Sequence, residues 1–366
     1  MKILFAYDTT DHDNEFVRIH IGLLKELGHE VTASLHEFWH PTTEYDFVII
    51  NWPDYFYGFR GDITDEEVEK FNDAIENLRK TKQKIITFYH DEYSHYGRNP
   101  NLNLLYDICY DKTDIMLHLG EYSKHKDEKI YDRAVHLIMH HPLYREYSFG
   151  IEKKKARSAL PVRKAKFLVI VPGAIRKKEE IDYCISIYRK LDIPNKKLVF
   201  LRSYFYTYFP KINSFFTARK WVKNKYFSKY YKYFGNIRFR SGYLKPEELS
   251  NWLAGSDLVI IPRTDILNSG VIFMTAQYGK PMIGTGFGNM GELLDFLGQK
   301  KIKDPRSVDK KELMDFIASQ KGNSEKLKEK VAEYSSDEKL KQEWIGILDG
   351  FGLRQAQPDD ASTSSG

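Results

Sequence analysis

Several short stretches of this chain combine residue types and spacing that suit chemistry on phosphates and hydroxyls. An apolar run at 85–89 is followed by His90, Asp91 and Glu92, with His95 three positions further on. An imidazole among carboxylates can take a proton from a hydroxyl or orient one; Asp91 or Glu92 serves as the base, or orients His90. A second apolar run at 167–171 leads into Pro172-Gly173-Ala174-Ile175-Arg176-Lys177-Lys178. Gly173 lets the backbone turn tightly, and Arg176, Lys177 and Lys178 place strong donors where a diphosphate would lie. A third run, from Asp257 to Ile261, leads through Pro262-Arg263-Thr264-Asp265 to Asn268-Ser269-Gly270. Asn268 or Ser269 can cap a helix there and leave backbone N–H groups for a phosphate. Gly279-Lys280-Pro281 then opens a short strand that runs into a glycine turn, Gly284 to Gly291, ending in Glu292. A carboxylate at such a helix start can accept hydrogen bonds from two ribose hydroxyls. His140-His141-Pro142 is a second imidazole-bearing turn.

These residues need rigid elements to position them, and the pattern supplies an α/β alternation. Residues 2–7, 31–35, 47–50, 84–89 and 114–119 read as strands. Phe16, Ile19, Leu23, Leu24 and Leu27 share one helical face, with Gly28 placed to cap it. Thr64-Asp65-Glu66-Glu67 is a capping box ahead of Val68, Phe71, Ile75 and Leu78 at helical spacing. Alternation at this pitch predicts a parallel sheet with helices on both faces, where ligands bind beyond the carboxyl ends of the strands. The stretch 151–165 is charged, contains Pro161 and lacks an apolar period, so it reads as a linker. Strands resume at 167–171, 198–201, 258–261 and 281–283, with helices near 246–254, 270–278 and 289–297. The expected organisation is a first domain at 1–150, a second at 166–350, and a disordered tail at 354–366. No GxGxxG follows the first strand, which removes the main support for a nicotinamide dehydrogenase.

The chain has 366 residues, 42% of them hydrophobic, enough for two cores. Cys109 and Cys184 are its only cysteines and fall in different domains, which fits a reducing cytoplasm and no disulfide framework. Net charge is +5, but residues 202–240 hold ten Lys or Arg and no acid, leaving 46 basic against 51 acidic side chains elsewhere. Fifteen aromatics lie in the same region, and 214–234 reads as a helix carrying Phe215, Val222, Tyr226, Tyr230 and Phe234 along one side, with Lys220, Lys223, Lys229 and Lys232 elsewhere on its surface. Such an insertion, spanning about 204–240, suits an anionic membrane surface. Packing on its own domain is the competing reading, and nucleic acid is the weakest of the three.

Gly173 with Arg176 and Lys177 or Lys178, Asp257 with Pro262, Ser269-Gly270, Gly279-Lys280-Pro281 and Glu292 occur in the order of a known pattern. They resemble the C-terminal domain of the GT-B superfamily of glycosyltransferases, especially bacterial enzymes of polysaccharide assembly. More loosely, Thr87 to His95 and His140 to Tyr147 resemble turns of the N-terminal domain of those enzymes. The resemblance implies two Rossmann-like domains whose parallel sheets face a central cleft. It implies hexosyl transfer from a nucleotide sugar to a lipid-linked or polysaccharide acceptor, with no metal and no cofactor apart from the donor substrate. Arg176 and a neighbouring lysine would hold the diphosphate, Asn268, Ser269 and Gly270 its phosphate, and Glu292 the ribose. His90, Asp91 and Glu92 would be catalytic, with His95 and His141 on the acceptor side; resemblance to retaining members favours instead a His90 that only contacts the donor sugar. One departure concerns stereochemistry: retaining members usually carry two glutamates separated by seven residues near the Ser-Gly helix, and 268–276 has neither. A cytoplasmic enzyme, peripheral on the inner face of the plasma membrane, is the expected setting. A nucleotide-sugar epimerase on the same fold, or a non-catalytic protein of the membrane surface, are the alternatives.

Overall fold

The computed structural model describes residues 1–9, 14–94, 99–162, 165–207, 211 and 213–352. Two compact units emerge. The first comprises Met1–Pro142 together with the chain from Ser335; the second is Leu143–Tyr334.

The first unit holds a six-stranded parallel sheet of β1 (Lys2–Phe5), β2 (Glu30–Ala33), β3 (Phe47–Ile50), β4 (Lys84–Tyr89), β5 (Ile115–His118) and β6 (Val135–Ile138), in the order β2-β1-β3-β4-β5-β6. The second holds β7 (Phe167–Ile175), β8 (Lys196–Ser203), β9 (Ile237–Phe239), β10 (Leu258–Ile261), β11 (Met282–Gly284) and β12 (Lys300–Lys301), in the order β12-β11-β10-β7-β8-β9, again parallel. The central strands β3, β5 and β10 are buried at every position, as strands covered by helices on both faces must be. Strand order reverses between β1 and β3 in one sheet and between β7 and β10 in the other. Crevices open beyond the carboxyl ends of the strands at such reversals.

One device recurs at the opposite, amino-terminal edges. An aspartate just before a strand accepts a backbone N–H from the first or second residue of the strand beside it: Asp46 from Lys2 at 2.7 Å, Asp114 from Ile85 at 2.9 Å and Asp257 from Leu168 at 2.6 Å. A charge-assisted bond at this position fixes the register of neighbouring parallel strands. Asp257 therefore serves the scaffold, and so does Lys280, whose ammonium donates to the Ala254 carbonyl at 2.7 Å and whose pKa burial lowers to about 8.

Three expectations need correction. The stretch read as a linker contains a helix, Lys153–Ala159, that belongs to the second unit. Only Ala156 of this helix enters the apolar core, so no apolar period shows, and most of its ties are polar: Arg157 donates to the carbonyls of Gly255 and Ala165 and pairs with Asp257. The C-terminal helix Asp337–Gly352 belongs to the first unit, because Leu340, Trp344, Ile347 and Leu348 complete the core around Ile3, Phe5 and Phe88. Trp344 is fully buried, and its loss would cost about 3–5 kcal/mol. The strand expected to end at Val171 continues to Ile175 with a bulge between Val171 and Ala174, so Gly173 lies within β7. The tail at 354–366 lies outside the described residues.

Candidate functional site

In the second unit, the crevice between β7 and β10 is built around a buried ion pair. Glu180, in the first turn of the helix Lys178–Lys190, is 2% exposed. One of its oxygens accepts from Arg263 Nη1 at 2.5 Å; the other accepts from the backbone N–H groups of Arg176 at 2.7 Å and Lys177 at 3.3 Å. Arg263 leaves the end of β10 and lays its guanidinium against β7, where a Cβ on Gly173 would come within 2.5 Å of Nη2. Gly173 is thus the position at which a side chain must be absent so that a cation can sit on the strand end. Arg176, Lys177 and Lys178 are exposed just beyond. Lys177 pairs with Asp265 and Lys178 with Asp182 at 2.5 Å, so carboxylates already balance these lysines.

Two helices of eight residues begin close to this pair in the chain, Gly270–Gln277 and Asn289–Phe296. Neither start is capped by the side chain at its N-cap position, Ser269 or Gly288. Asn268 instead accepts from the Asn289 amide at 2.9 Å, joining the two starts. Gly288 has a φ of 62°, and a Cβ there would lie 2.9 Å from the Leu267 backbone. This close approach brings the loop after β10 against the turn after β11. Glu292 is exposed in the first turn of its helix. Helix starts without side-chain caps, beside cations, suit an anion.

The corresponding edge of the first unit is built around imidazoles and aromatic rings. His90 follows β4, and its Nε2 lies 2.6 Å from Oδ1 of Asn51, which follows β3. With Oδ1 as acceptor, Nε2 carries the proton and Nδ1 the lone pair. Trp52 stacks on the His90 ring at 4.6 Å, and Phe16 contacts both His90, at 4.7 Å, and His141, at 5.2 Å. His141 Nδ1 donates to the Pro142 carbonyl at 2.7 Å. His20 is fully buried and accepts from Trp344 Nε1 at 3.1 Å, and among the described residues its Nε2 has no hydrogen-bond partner. Burial pushes His20 down to about 3 and His141 to about 4, and holds His90 well below the ordinary imidazole range, with the neighbouring imidazoles adding to the effect on His20 and His90. All three are therefore neutral at pH 7.

Of the other residues singled out here, Asp91 is half-buried and its backbone carbonyl is fixed by Tyr110 Oη at 2.6 Å. Glu92 pairs with Lys126. His95 lies outside the described residues. His140 is turned to the C-terminal helix, with Nδ1 2.5 Å from Glu343.

Sequence reasoning assigned no role to Arg263, Glu180, Asn51, His20 or Asp54. Asp54 is buried beside Ser94 Oγ at 2.7 Å, and burial raises its pKa. The one available signal was position: Asn51 and Arg263 come just after buried strands. The expectation of a metal-free reaction also overlooked Asp11-His12-Asp13, the chain's one Asp-x-Asp, which lies outside the described residues.

No protein-family model and no curated protein matches the sequence. Solved structures do match in fold. The chain is similar to HepE of Anabaena in complex with UDP (TM-score 0.63, 13% identity, 96% of this chain and 100% of that one). It is similar to sucrose-phosphate synthase from Thermosynechococcus elongatus (TM-score 0.61, 11% identity, 97% and 98%). A putative UDP-N-acetylglucosamine 2-epimerase from Listeria monocytogenes also matches (TM-score 0.51, 13% identity, 96% and 97%).

Proposed function

We propose that this chain, which has the GT-B fold, is a glycosyltransferase that moves a hexosyl group from a nucleotide sugar to a lipid-linked or polysaccharide acceptor. The observation that carries this reading is Arg263, locked by Glu180 against Gly173 at the strand reversal of the second sheet. In such a transfer the bond from the anomeric carbon to the diphosphate breaks, and its electron pair leaves with the nucleoside diphosphate. Charge that develops there is best met by groups already in place. Arg263 supplies a fixed cation, Arg176, Lys177 and Lys178 supply mobile ones, and the starts of the Gly270–Gln277 and Asn289–Phe296 helices supply N–H groups. Glu292 takes the ribose hydroxyls.

On the first unit, His90 orients the acceptor hydroxyl and Asp91 takes its proton, with His141 as a further neutral contact. The depressed basicity of His90 suits orienting better than storing a proton. Glu92 is engaged by Lys126 and so is less available to a hydroxyl. The cations do this work without a metal ion, so turnover should persist in EDTA and after substitution of Asp11 and Asp13 by Asn. The setting is the cytoplasm, at the face of a membrane that presents the acceptor.

A panel of UDP, GDP and ADP sugars, followed by thermal melting, tests the reading. HepE is described with UDP, so UDP sugars come first. A donor at about a hundred times its Kd stabilises the folded state by about 2.7 kcal/mol. Epimerisation is the second reading, favoured by the Listeria match. Product analysis separates the two: an epimerase converts the donor without acceptor, and a transferase needs the acceptor.

A further inference from the structure

The helix Phe215–Phe234, between β8 and β9 of the second unit, has no buried residue. It rests on its own domain through Phe227 and Tyr231, which pack with Tyr206 and Phe239. At about 100° per residue, an adjoining arc remains. Phe215, Phe216, Val222, Tyr226, Tyr233 and Phe234 fall within roughly 120° of one another on it. All six are exposed, Phe215 by 86% and Phe234 by 83%. Arg219 and Lys223 stand within this arc, and Lys225 and Lys229 flank it, all exposed. The competing expectation, that the aromatics pack on their own domain, holds for Phe205, Tyr206, Phe227, Tyr231 and Phe239.

We propose that this arc docks on an anionic lipid bilayer, with the aromatics entering the headgroup boundary and the cations held at its surface. Charge decides the occupant. The segment from Arg202 to Arg240 has ten cations and no acid, so a second copy of the same face would set like charges against each other. A single strand of nucleic acid would find stacking rings here but no groove, since a helix presents a convex face. An anionic bilayer offers negative charge to the lysines and an apolar boundary to Phe and Val together. Among the described residues no helix is long and apolar enough to cross a membrane, so the attachment is peripheral. The benefit to a transferase with a lipid-linked acceptor rests on the reading above. The docking itself is measured without any nucleotide sugar, so failure of one does not entail failure of the other.

Cosedimentation with vesicles of equal parts phosphatidylglycerol and phosphatidylcholine, against phosphatidylcholine alone, tests it. Wild type should bind the anionic vesicles and release at high salt. A fourfold variant (Arg219, Lys223, Lys225 and Lys229 to Glu) and a threefold variant (Phe215, Phe216 and Tyr233 to Ser) should each partition at least about tenfold less. Both should melt like wild type, because none of these side chains is buried. Absence of wild-type binding, or wild-type-like binding by either variant, overturns the proposal. So would tight binding of a single-stranded oligonucleotide without vesicle binding, or a concentration-dependent dimer that the same substitutions abolish.

Discussion

In the first unit, Asn51, His90 and His141 follow β3, β4 and β6, and all three are buried and uncharged at neutral pH. In the second, β7 and β10 are followed by Arg176, Lys177 and Arg263. Both sheets are parallel, six-stranded and reversed at an interior strand, so topology does not explain the contrast. Composition does. All twelve histidines precede residue 142, whereas the acid-free basic segment lies in the second unit. Under the proposed function one crevice serves hydroxyls and the other phosphate, a division of labour that single substitutions can break.

The largest effect should come from the buried pair. Arg263→Ala leaves Glu180 buried without its partner and should cost about 3–5 kcal/mol of stability in denaturant melts. A loss under about 1 kcal/mol would mean that water reaches Glu180 and that the second crevice is not preorganised.

On the first unit, His90→Asn keeps much of the shape and removes the ring. Steady-state assays with the natural acceptor should show kcat at least about a hundredfold lower. Wild-type turnover would move the acceptor chemistry away from the Asn51–His90 pair.

Acid should separate the units next. The folded pKa values of His20, His90 and His141 lie below the unfolded value of about 6.5. As pH falls, the unfolded chain therefore binds these protons first. Their stabilisation is complete above about pH 6.5 and lost progressively towards pH 4 and 3, by about 1.4 kcal/mol per pH unit for each imidazole. Melting followed by tryptophan fluorescence should show this slope, and His20→Phe should remove about one imidazole's share.

Much of the scaffold was legible because its signals are local. Buried β-branched runs marked β3, β4 and β10; the Thr64–Glu67 capping box formed as read; and the 214–234 pattern became the helix Phe215–Phe234. What was not legible depends on partners far apart in the chain. Glu180 and Arg263 are 83 positions apart, and Asn51 and His90 are 39 apart. Neither pair has a spacing that a chain pattern could reveal. The return of Asp337–Gly352 to the first core was hidden for a related reason: an apolar helix face declares that it is buried, not against what.

Donor affinity, measured by calorimetry on three variants with the nucleotide sugar that stabilises wild type, tests the division of labour most directly. Arg176→Ala and Glu292→Gln should each weaken binding by about 1.5–3 kcal/mol, the scale of a hydrogen bond to a charged group. His90→Asn should leave the affinity within about 0.5 kcal/mol of wild type, as for a substitution outside the binding contacts. Unchanged affinity in both second-unit variants, or a loss as large in His90→Asn, would contradict the assignment of the donor to the second unit.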